Sequence, residues 1–227
     1  QAGEPSGAGN GAVWWDTTNS VYKLLIEGEW YTVTLNLPAT WYGDRAVFAG
    51  GSTAGGNVNT IDYFSISTLG NAAVFGYLTF TSWKTASASN ATVGLFEGSH
   101  GVNSIVFATL GNAVNFTTSG GIQVGNGRGG CSDGTYGLFG GGSGNSNIID
   151  YVVIATTGAV TDFGDLTIGR NETSACADAT YGVWAGGSTY NVIDYVTIAT
   201  PGNATDFGDL TEGKSFLAGC SNTTRGL

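Results

Sequence analysis

Three cysteines recur at nearly equal intervals, and they are the first residues to consider for redox or metal chemistry. Cys131, Cys176 and Cys220 lie 45 and 44 residues apart. An odd number argues against a disulfide framework, and equivalent positions on separate repeats do not easily reach the Cα distance of a disulfide. The C-x-x-C pairs typical of zinc sites are missing from the chain. We therefore expect buried, apolar cysteines and no metal or cofactor.

Aspartates also recur in fixed contexts. One set follows isoleucine in I-D-Y segments, and a second set lies in D-F-G-D segments: Asp62, Asp150 and Asp194, then Asp162, Asp165, Asp206 and Asp209. Repeated carboxylates could bind calcium, but none of these runs has the D-x-[DN]-x-[DN]-G spacing of a calcium loop. Because a residue present in every repeat usually serves the repeat, we expect these carboxylates to accept hydrogen bonds from turn amides.

A catalytic site would have to break the repetition, and little in the chain does so. His100 is the only histidine and lies in a Gly-Ser-His-Gly segment, where a surface loop position is expected. The sequence has no nucleophile elbow, no H-E-x-x-H and no phosphate loop. We predict that the protein is not an enzyme and has no catalytic residues.

Five N-x-[ST] triplets occur, and we interpret their asparagines as turn residues and not as glycosylation sites. They are Asn90, Asn115, Asn171, Asn203 and Asn222.

These residues recur because the chain is built from repeats. The segment 181–211 nearly copies the segment 136–167, and Asp150 and Leu166 lie 44 residues before Asp194 and Leu210. Asp62 precedes Asp150 by 88 residues, and Phe75 precedes Phe207 by 132. A copy with weaker similarity lies between them. It has Asn103 and Ser104 where the other copies have Asp-Tyr. Self-similarity at such a period indicates a solenoid, a propeller or an array.

Each repeat contains four candidate strands separated by glycine-rich turns, and helix signals are absent. In the last copies they are a G-x-[FW] run (182–187), an I-D-Y run (193–199), a D-F-G run (204–210) and a small-residue run with the cysteine (215–221). Four strands per repeat are typical of a propeller blade. We predict an all-β fold in which residues 45–227 form a β-propeller of about four blades.

The phase of the repeats predicts how the ring would close. The repeat that starts at Arg45 lacks a cysteine-type strand, whereas the segment 215–224 has no blade of its own. The terminal strand would complete the first blade and remove both open sheet edges. A larger ring is the alternative.

The N-terminal part has a different composition. Residues 1–11 are small and polar, as in a linker. Residues 12–44 contain three strand-like runs, which predict a small β-meander. Its aromatic residues are more than a small sheet can cover: Trp14, Trp15, Tyr22, Trp30 and Tyr31. We expect this module to dock on a neighbour or on another copy, giving a homo-oligomer.

Charge and hydropathy exclude two classes of partner. The net charge of −10 repels phosphate backbones and anionic membranes. No apolar run is long enough for a membrane span. Nucleic acid and membrane insertion are therefore not expected.

Three features of the chain resemble known families. The double glycines after Phe48, Phe139 and Trp184 resemble kelch-type propeller repeats. The N-V-I-D-Y-V-T-I-A-T and D-F-G-D-L-T segments are similar to repeats in structural proteins of tailed bacteriophages of aquatic bacteria. The segment from Ala12 to Thr17, with Trp30 downstream, is similar to small modules of phage tail-fibre and appendage proteins. These resemblances imply a structural or host-contact role without catalysis.

The expected function is a virion structural protein of a tailed phage, located at the particle surface and bound to other virion proteins. It would present variable loops (52–59, 99–103 and 142–147) for attachment to a host glycan or receptor. Two alternatives are a capsid decoration protein and a secreted carbohydrate-binding propeller. In the second, Trp41, Tyr42 and Trp83 would stack on sugar rings.

Overall fold

The chain separates into two units, Gln1–Thr40 and Trp41–Leu227. The computed structural model describes residues 7–16, 21–32, 44–98, 100–118, 125–222 and 225–226. Regular structure in these ranges consists of strands, so the prediction of an all-β protein is confirmed. The described residues contain no helix that is long and apolar enough to cross a membrane.

The N-terminal unit contains a three-stranded antiparallel sheet in the order β1, β2, β3 (Val13–Asp16, Val21–Ile26 and Glu29–Thr32). A tight turn joins β2 to β3, and Glu27 and Gly28 both take positive φ there (51° and 86°). Trp14 and Trp30 pack edge to face, with ring centroids 5.9 Å apart. The structure thus contains the predicted meander. Residues 33–43, which include the end of its third predicted strand, lie outside the described ranges.

The second unit contains four successive antiparallel sheets. The first has three strands, β4 (Arg45–Ala49), β7 (Thr60–Ser65) and β8 (Ala73–Tyr77), and a small hairpin of β5 (Ser52–Thr53) and β6 (Gly56–Asn57) projects between β4 and β7. The other three have four strands each. They are β9 to β12 (Ala86–Ser89, Val93–Gly98, Gly101–Val106, Val114–Thr118), β13 to β16 (Gly129–Ser132, Tyr136–Gly140, Ile148–Val153, Thr161–Asp165) and β17 to β20 (Ser174–Ala177, Tyr181–Ala185, Val192–Thr197, Thr205–Asp209).

Each of the four successive sheets of the second unit has a β-bulge or similar irregularity in register. It lies where the strand that contains Asp62, Asn103, Asp150 or Asp194 pairs with the strand after it. The register shifts at Ile61/Asp62, Val102/Asn103, Ile149/Asp150 and Ile193/Asp194. A bulge locally increases strand twist and re-aims a side chain. The recurrent aspartate, or Asn103 in the second sheet, therefore sits at the bend of each sheet.

The cysteine-type strand is the first strand of each four-stranded sheet, so its predicted place as the fourth is wrong. β13 pairs with β14, and β17 pairs with β18. The reason is local, because a short turn with an Asx cap joins the two strands. The Asp133 carboxylate accepts hydrogen bonds from the amides of Thr135 and Tyr136 (2.7 and 2.8 Å), which makes this connection a hairpin.

In the part of the chain that the structure describes, the predicted closure of the first sheet by the terminal strand is not observed. Among the described residues, no strand pairs with the free edge of β4. The tail instead makes an isolated bridge between Ser221 and Gly226. This bridge repeats the Ala177–Gly182 pair of β17 and β18, 44 residues earlier, so the turn in the tail is the fourth of this kind, after those of β9–β10, β13–β14 and β17–β18.

The core of the second unit lies between consecutive sheets, in three apolar clusters. Ile61, Phe75 and Leu78 of the first sheet pack on Phe96 and Ile105 of the second. The second and third sheets meet through residues such as Leu95 and Phe139, and the third and fourth through residues such as Phe163 and Trp184. We call the face of a sheet that is turned toward the preceding sheet its front face, and the face turned toward the following sheet its back face.

Candidate functional site at the loop end of the sheets

The loops between the second and third strands of the sheets define one end of the unit, which we call the loop end. Each of three loops begins with two glycines at positive φ: Gly50 and Gly51, Gly141 and Gly142, Gly186 and Gly187. The second glycine amide donates to the segment that leads into the next sheet, as from Gly51 to the Ser82 carbonyl and from Gly187 to the Lys214 carbonyl (both 2.7 Å). A Cβ on Gly50 would lie 2.9 Å from the Ser82 oxygen. The two glycines therefore allow close contact between the loop and the segment that follows the sheet.

A buried ion pair lies beneath the loop of the third sheet. Arg128 contacts the Asp150 carboxylate at 2.9 Å, and both side chains are almost fully buried. The guanidinium also donates to the carbonyl oxygens of Phe139 (2.6 Å) and Ile148 (3.1 Å). Arg128 thereby holds the second and third strands together where the loop leaves them.

The fourth sheet has an equivalent ion pair. Its arginine lies at a different position of the segment that leads into the sheet. Arg170 contacts Asp194 at 2.9 Å, with both side chains fully buried, and donates to the carbonyls of Trp184 and Val192. Burial lowers the pKa of Arg170, and the Asp194 charge opposes that shift. The sequence pattern did not indicate either arginine, because Arg128 and Arg170 are not 44 residues apart. Their partners Asp150 and Asp194 are 44 residues apart.

The prediction that the aspartates accept hydrogen bonds from turn amides is confirmed at several positions. Asp194 accepts from the Thr167 amide (3.2 Å) and hydroxyl (2.6 Å) of the preceding sheet. In the D-F-G-D segments, Asp162 and Asp206 accept from the amides of Gly164 and Gly208. Asn103 replaces the aspartate in the second sheet and accepts from the Thr79 amide (2.7 Å).

The five N-x-[ST] asparagines also make hydrogen bonds, three of them local and two to a preceding repeat. The side-chain oxygen of Asn90 accepts from the amides of Thr92 and Val93, and that of Asn222 accepts from the Arg225 amide. Asn203 accepts from the Asp165 amide of the preceding sheet. Asn171 accepts from the Glu172 amide and Asn115 from the Thr79 hydroxyl.

Glu97 breaks the repetition, because the equivalent positions in the other sheets hold glycine or alanine. Its side chain is fully buried, and no side chain among the described residues makes a hydrogen bond to either carboxylate oxygen. Desolvation raises its pKa to about 8, partly opposed by the Arg128 charge and the Gly125 amide. At neutral pH we expect Glu97 to be largely protonated.

Four residues at equivalent positions of successive connections form a ladder at the loop end. Lys84, Gly127, Glu172 and Phe216 all take positive φ (55°, 78°, 60° and 58°). Each of the last three amides donates to the carbonyl of the residue before it in this series (3.1, 2.7 and 3.2 Å). The Lys84 ammonium pairs with Glu172 and lies 4.6 Å from the ring centroid of Phe216. One side chain thus spans three repeats.

Of the three segments that we predicted to be variable loops, two are exposed loops in the structure and one is not. The hairpin of β5 and β6 and residues 143–145 are exposed. The segment 99–103 is wrong as a loop, since β11 begins at Gly101 and Val102 and Asn103 are buried. Ser99 lies outside the described residues. His100 is exposed as expected, and its ring stacks on Phe80 (centroids 5.8 Å apart).

The aromatic residues proposed for sugar stacking are only partly described. Trp41 and Tyr42 lie outside the described ranges. Trp83 lies beside the ladder, is 42 % exposed and carries the Lys84 ammonium 4.1 Å from its ring centroid. An exposed indole at the loop end is therefore present.

All three cysteines are free thiols. Cys131 is buried, and burial raises the pKa of Cys131 and Cys176. The prediction of burial is wrong for Cys220, which is exposed, and Cys176 is only half-buried. Among the described residues no cluster of three or more histidine, cysteine or acidic side chains could hold a metal ion.

A cavity of about 470 Å³ lies at the opposite end, between the first and second sheets. Its lining includes Asp44, Arg45, Tyr63 and Phe107. Arg45 already donates to the Phe107 carbonyl and lies 4.9 Å from the ring centroid of Tyr63. The polar groups of this cavity thus bond to one another, and the loop end is the better candidate for recognition.

The chain matches no protein-family model, and no curated protein sequence matches it significantly.

Proposed function

We propose that the four sheets are consecutive blades of a propeller that is open between its first and last blades. Three successive sheet interfaces with equivalent residues support this arrangement. The first strands also lie side by side, since a Cβ on Gly130 of β13 would be 2.5 Å from the Ser87 carbonyl oxygen of β9. Close approach of first strands is what a common axis requires.

Contacts of Lys84 also support an arrangement about a common axis. The Lys84 ammonium pairs with Glu172 and lies 4.6 Å from the ring centroid of Phe216. The connections before the second and fourth sheets and the tail therefore lie close together at the loop end, as positions around one axis would.

We propose that the protein is a non-enzymatic structural protein of a tailed-phage particle, a fibre or appendage component that binds the host surface. The observation that carries the proposal is the pairing of exposed, dissimilar loops with a rigid base at the loop end. Each of the third and fourth sheets fixes its loop with a buried arginine–aspartate pair, while the loop tips are exposed. Recognition typically resides on such loops, and several copies in a particle would strengthen weak contacts.

The first experiment locates the chain. Purified phage particles should contain it at a fixed copy number, measured by quantitative mass spectrometry, and antibody labelling should place it on the tail or capsid surface. Its absence from particles that carry the gene would contradict the proposal.

The second experiment tests the loop end. Ala54 lies at the exposed tip between β5 and β6, and Thr68 is equally exposed at the opposite end of β7. We expect Ala54→Arg to reduce binding of the labelled protein to host cells several-fold, because a bulky charge would disturb the contact. The matched control Thr68→Arg should bind as the unmodified protein does, and equal loss in both variants would argue against loop-end recognition.

The rival function is carbohydrate binding by a secreted protein, and the exposed indole of Trp83 favours it. Sugar rings stack on exposed aromatic faces. A glycan array with the isolated protein should then give a signal that Trp83→Ala removes. A third role, capsid decoration, differs in showing capsid location without cell binding.

A further inference from the structure

The front face of the first sheet is apolar but uncovered. Phe48 occupies the position of Phe96, Phe139 and Trp184 in the later sheets, as their pairing with Asp62, Asn103, Asp150 and Asp194 shows. Phe139 is 1 % exposed and Trp184 is fully buried, whereas Phe48 is 63 % exposed. Phe64 stacks on Phe48 (centroids 5.9 Å apart), and Ile66 beside them is also exposed. This face has the residues of an interface, and no other sheet formed by the described residues of the second unit packs on it.

The back face of the fourth sheet is uncovered in the same way. Phe207 occupies the position of Phe75, Phe116 and Phe163, which are nearly fully buried. Phe207 itself is 66 % exposed, and Leu210 is only half-buried although the equivalent Leu78 and Leu166 are buried.

These two faces have the residues of the two halves of an internal junction. At two internal junctions a back-face phenylalanine and leucine pack with a front-face aromatic residue, as Phe163 and Leu166 do with Trp184 and as Phe75 and Leu78 do with Phe96. At the junction of the second and third sheets, Phe116 and Phe139 are the corresponding aromatic residues. The missing fourth junction would join Phe207 and Leu210 to Phe48 and Phe64.

We propose that copies of this chain associate head to tail, with the back face of the fourth sheet of one copy on the front face of the first sheet of the next. The two faces are exposed in the same molecule, so a single chain does not join them in this structure. Contact between unlike faces is heterologous, and it generates either a closed ring of copies or a filament. Burial of these aromatic side chains supplies the driving force.

The tail fits this junction. β4 lacks the first-strand neighbour that β14 and β18 have, and residues 218–221 match the first strands but pair only at Ser221. The Ser221 hydroxyl donates to the Ala177 carbonyl, as the Ser132 hydroxyl donates to Ser89 at an internal junction. The tail is thus held beside β17, where it would meet β4 of the next copy.

This inference defines the homo-oligomer of the proposed function, but it rests on the repeat geometry and not on host attachment. The test is the molar mass in solution, measured by light scattering over a concentration series, for the unmodified chain, Phe48→Asp, Phe207→Asp and their equimolar mixture. We expect the unmodified chain to exceed its monomer mass of 23.1 kDa and each variant to be a monomer. The mixture should form a heterodimer, because Phe48→Asp keeps a back face and Phe207→Asp keeps a front face.

Two controls make the result decisive. Leu69 is fully exposed outside both faces, so Leu69→Asp should keep the mass of the unmodified chain, and circular dichroism should show that all variants fold. A monomeric unmodified chain would overturn the proposal, as would an oligomer that persists in both aspartate variants and must then use another surface. Host binding is measured separately, so its failure would leave the mass result standing.

Discussion

Arg170 illustrates at the residue scale why the loop end is rigid. Its guanidinium has no exposed surface and is held by Asp194 and two backbone carbonyls. Removing one member of a buried pair leaves the other charge without compensation in a low-dielectric site, which typically costs about 3–5 kcal/mol. The pair therefore fixes the geometry of the fourth sheet more than it adds net stability.

We predict that Arg170→Met lowers the free energy of unfolding by about 3–5 kcal/mol, measured by urea denaturation. Lys214→Met is the matched control, because Lys214 pairs with Glu212 at the surface (46 % and 72 % exposed) and such pairs contribute about 1 kcal/mol or less. Similar losses in both variants would show that the buried pair has no special role.

Glu97 gives a pH dependence of opposite sign to that of most carboxylates. Its folded pKa of about 8 lies above the ordinary value of 4.5, so between these pH values the folded state keeps a proton that the unfolded state has lost. Stability must then fall as pH rises through this window and level off above pH 8. Arg128 and Asp150 are the charged groups that face Glu97.

We predict that Glu97→Gln removes this fall and that the variant gains stability over the unmodified protein as pH rises from about 5 to about 8, by up to several kcal/mol. Urea denaturation of both proteins across this range measures the difference. Parallel stability curves would mean that Glu97 does not titrate in this window.

At the scale of elements, the sequence predicts the strands well and their partners less well. The I-D-Y and D-F-G runs contain alternating apolar residues, and the strands Val192–Thr197 and Thr205–Asp209 fall close to the predicted ranges. Periodicity cannot say which neighbour a strand joins. The signal that assigns the cysteine-type strand was the D-x-T or N-x-T turn after it, as at Asp133 and Asp178.

The candidate site was harder to predict than the strands. The aspartates could be interpreted from their repetition, because identical positions in each sheet meet identical turns. Arg128 and Arg170 could not, since they enter from unlike positions and their convergence depends on the path of the connecting segments. Glu97 could be noticed only as an exception, and its burial is a property of the packed sheets.

Contact between neighbouring sheets also depends on glycines that do not have positive φ, such as Gly76. A Cβ on Gly76 in β8 would lie 2.0 Å from the carbonyl oxygen of Gly111, which is backbone and cannot rotate away. The Gly111 amide donates to the Phe75 carbonyl at this contact. The glycine thus allows the second sheet's connection to lie directly on the first sheet.

We predict that Gly76→Ala lowers the melting temperature markedly, with a loss of roughly 1–3 kcal/mol, because one of the two sheets must shift. Gly70→Ala is the control, since a Cβ on Gly70 would have no heavy atom within 4 Å and neither glycine needs positive φ. Equal melting temperatures for the two variants would mean that the sheets do not approach this closely.

At the scale of the whole second unit, stability is a sum of sheet and junction terms. Each core cluster contains residues of two consecutive sheets only. In such arrays the end repeats have one neighbour and the middle repeats two. The first and fourth sheets should therefore open locally at lower free energy than the second and third.

Hydrogen exchange of the monomeric Phe48→Asp variant tests this ordering and distinguishes an open array from a closed ring. We predict slow exchange for the amides of β10, β14 and β15, whose faces are covered on both sides, and faster exchange for those of β4, β7 and β20. In a ring closed within one chain every sheet would have two neighbours, so uniform protection would refute the open array. In the unmodified protein the end sheets should gain protection as the concentration rises, because the same two faces that are exposed in the monomer become buried between copies.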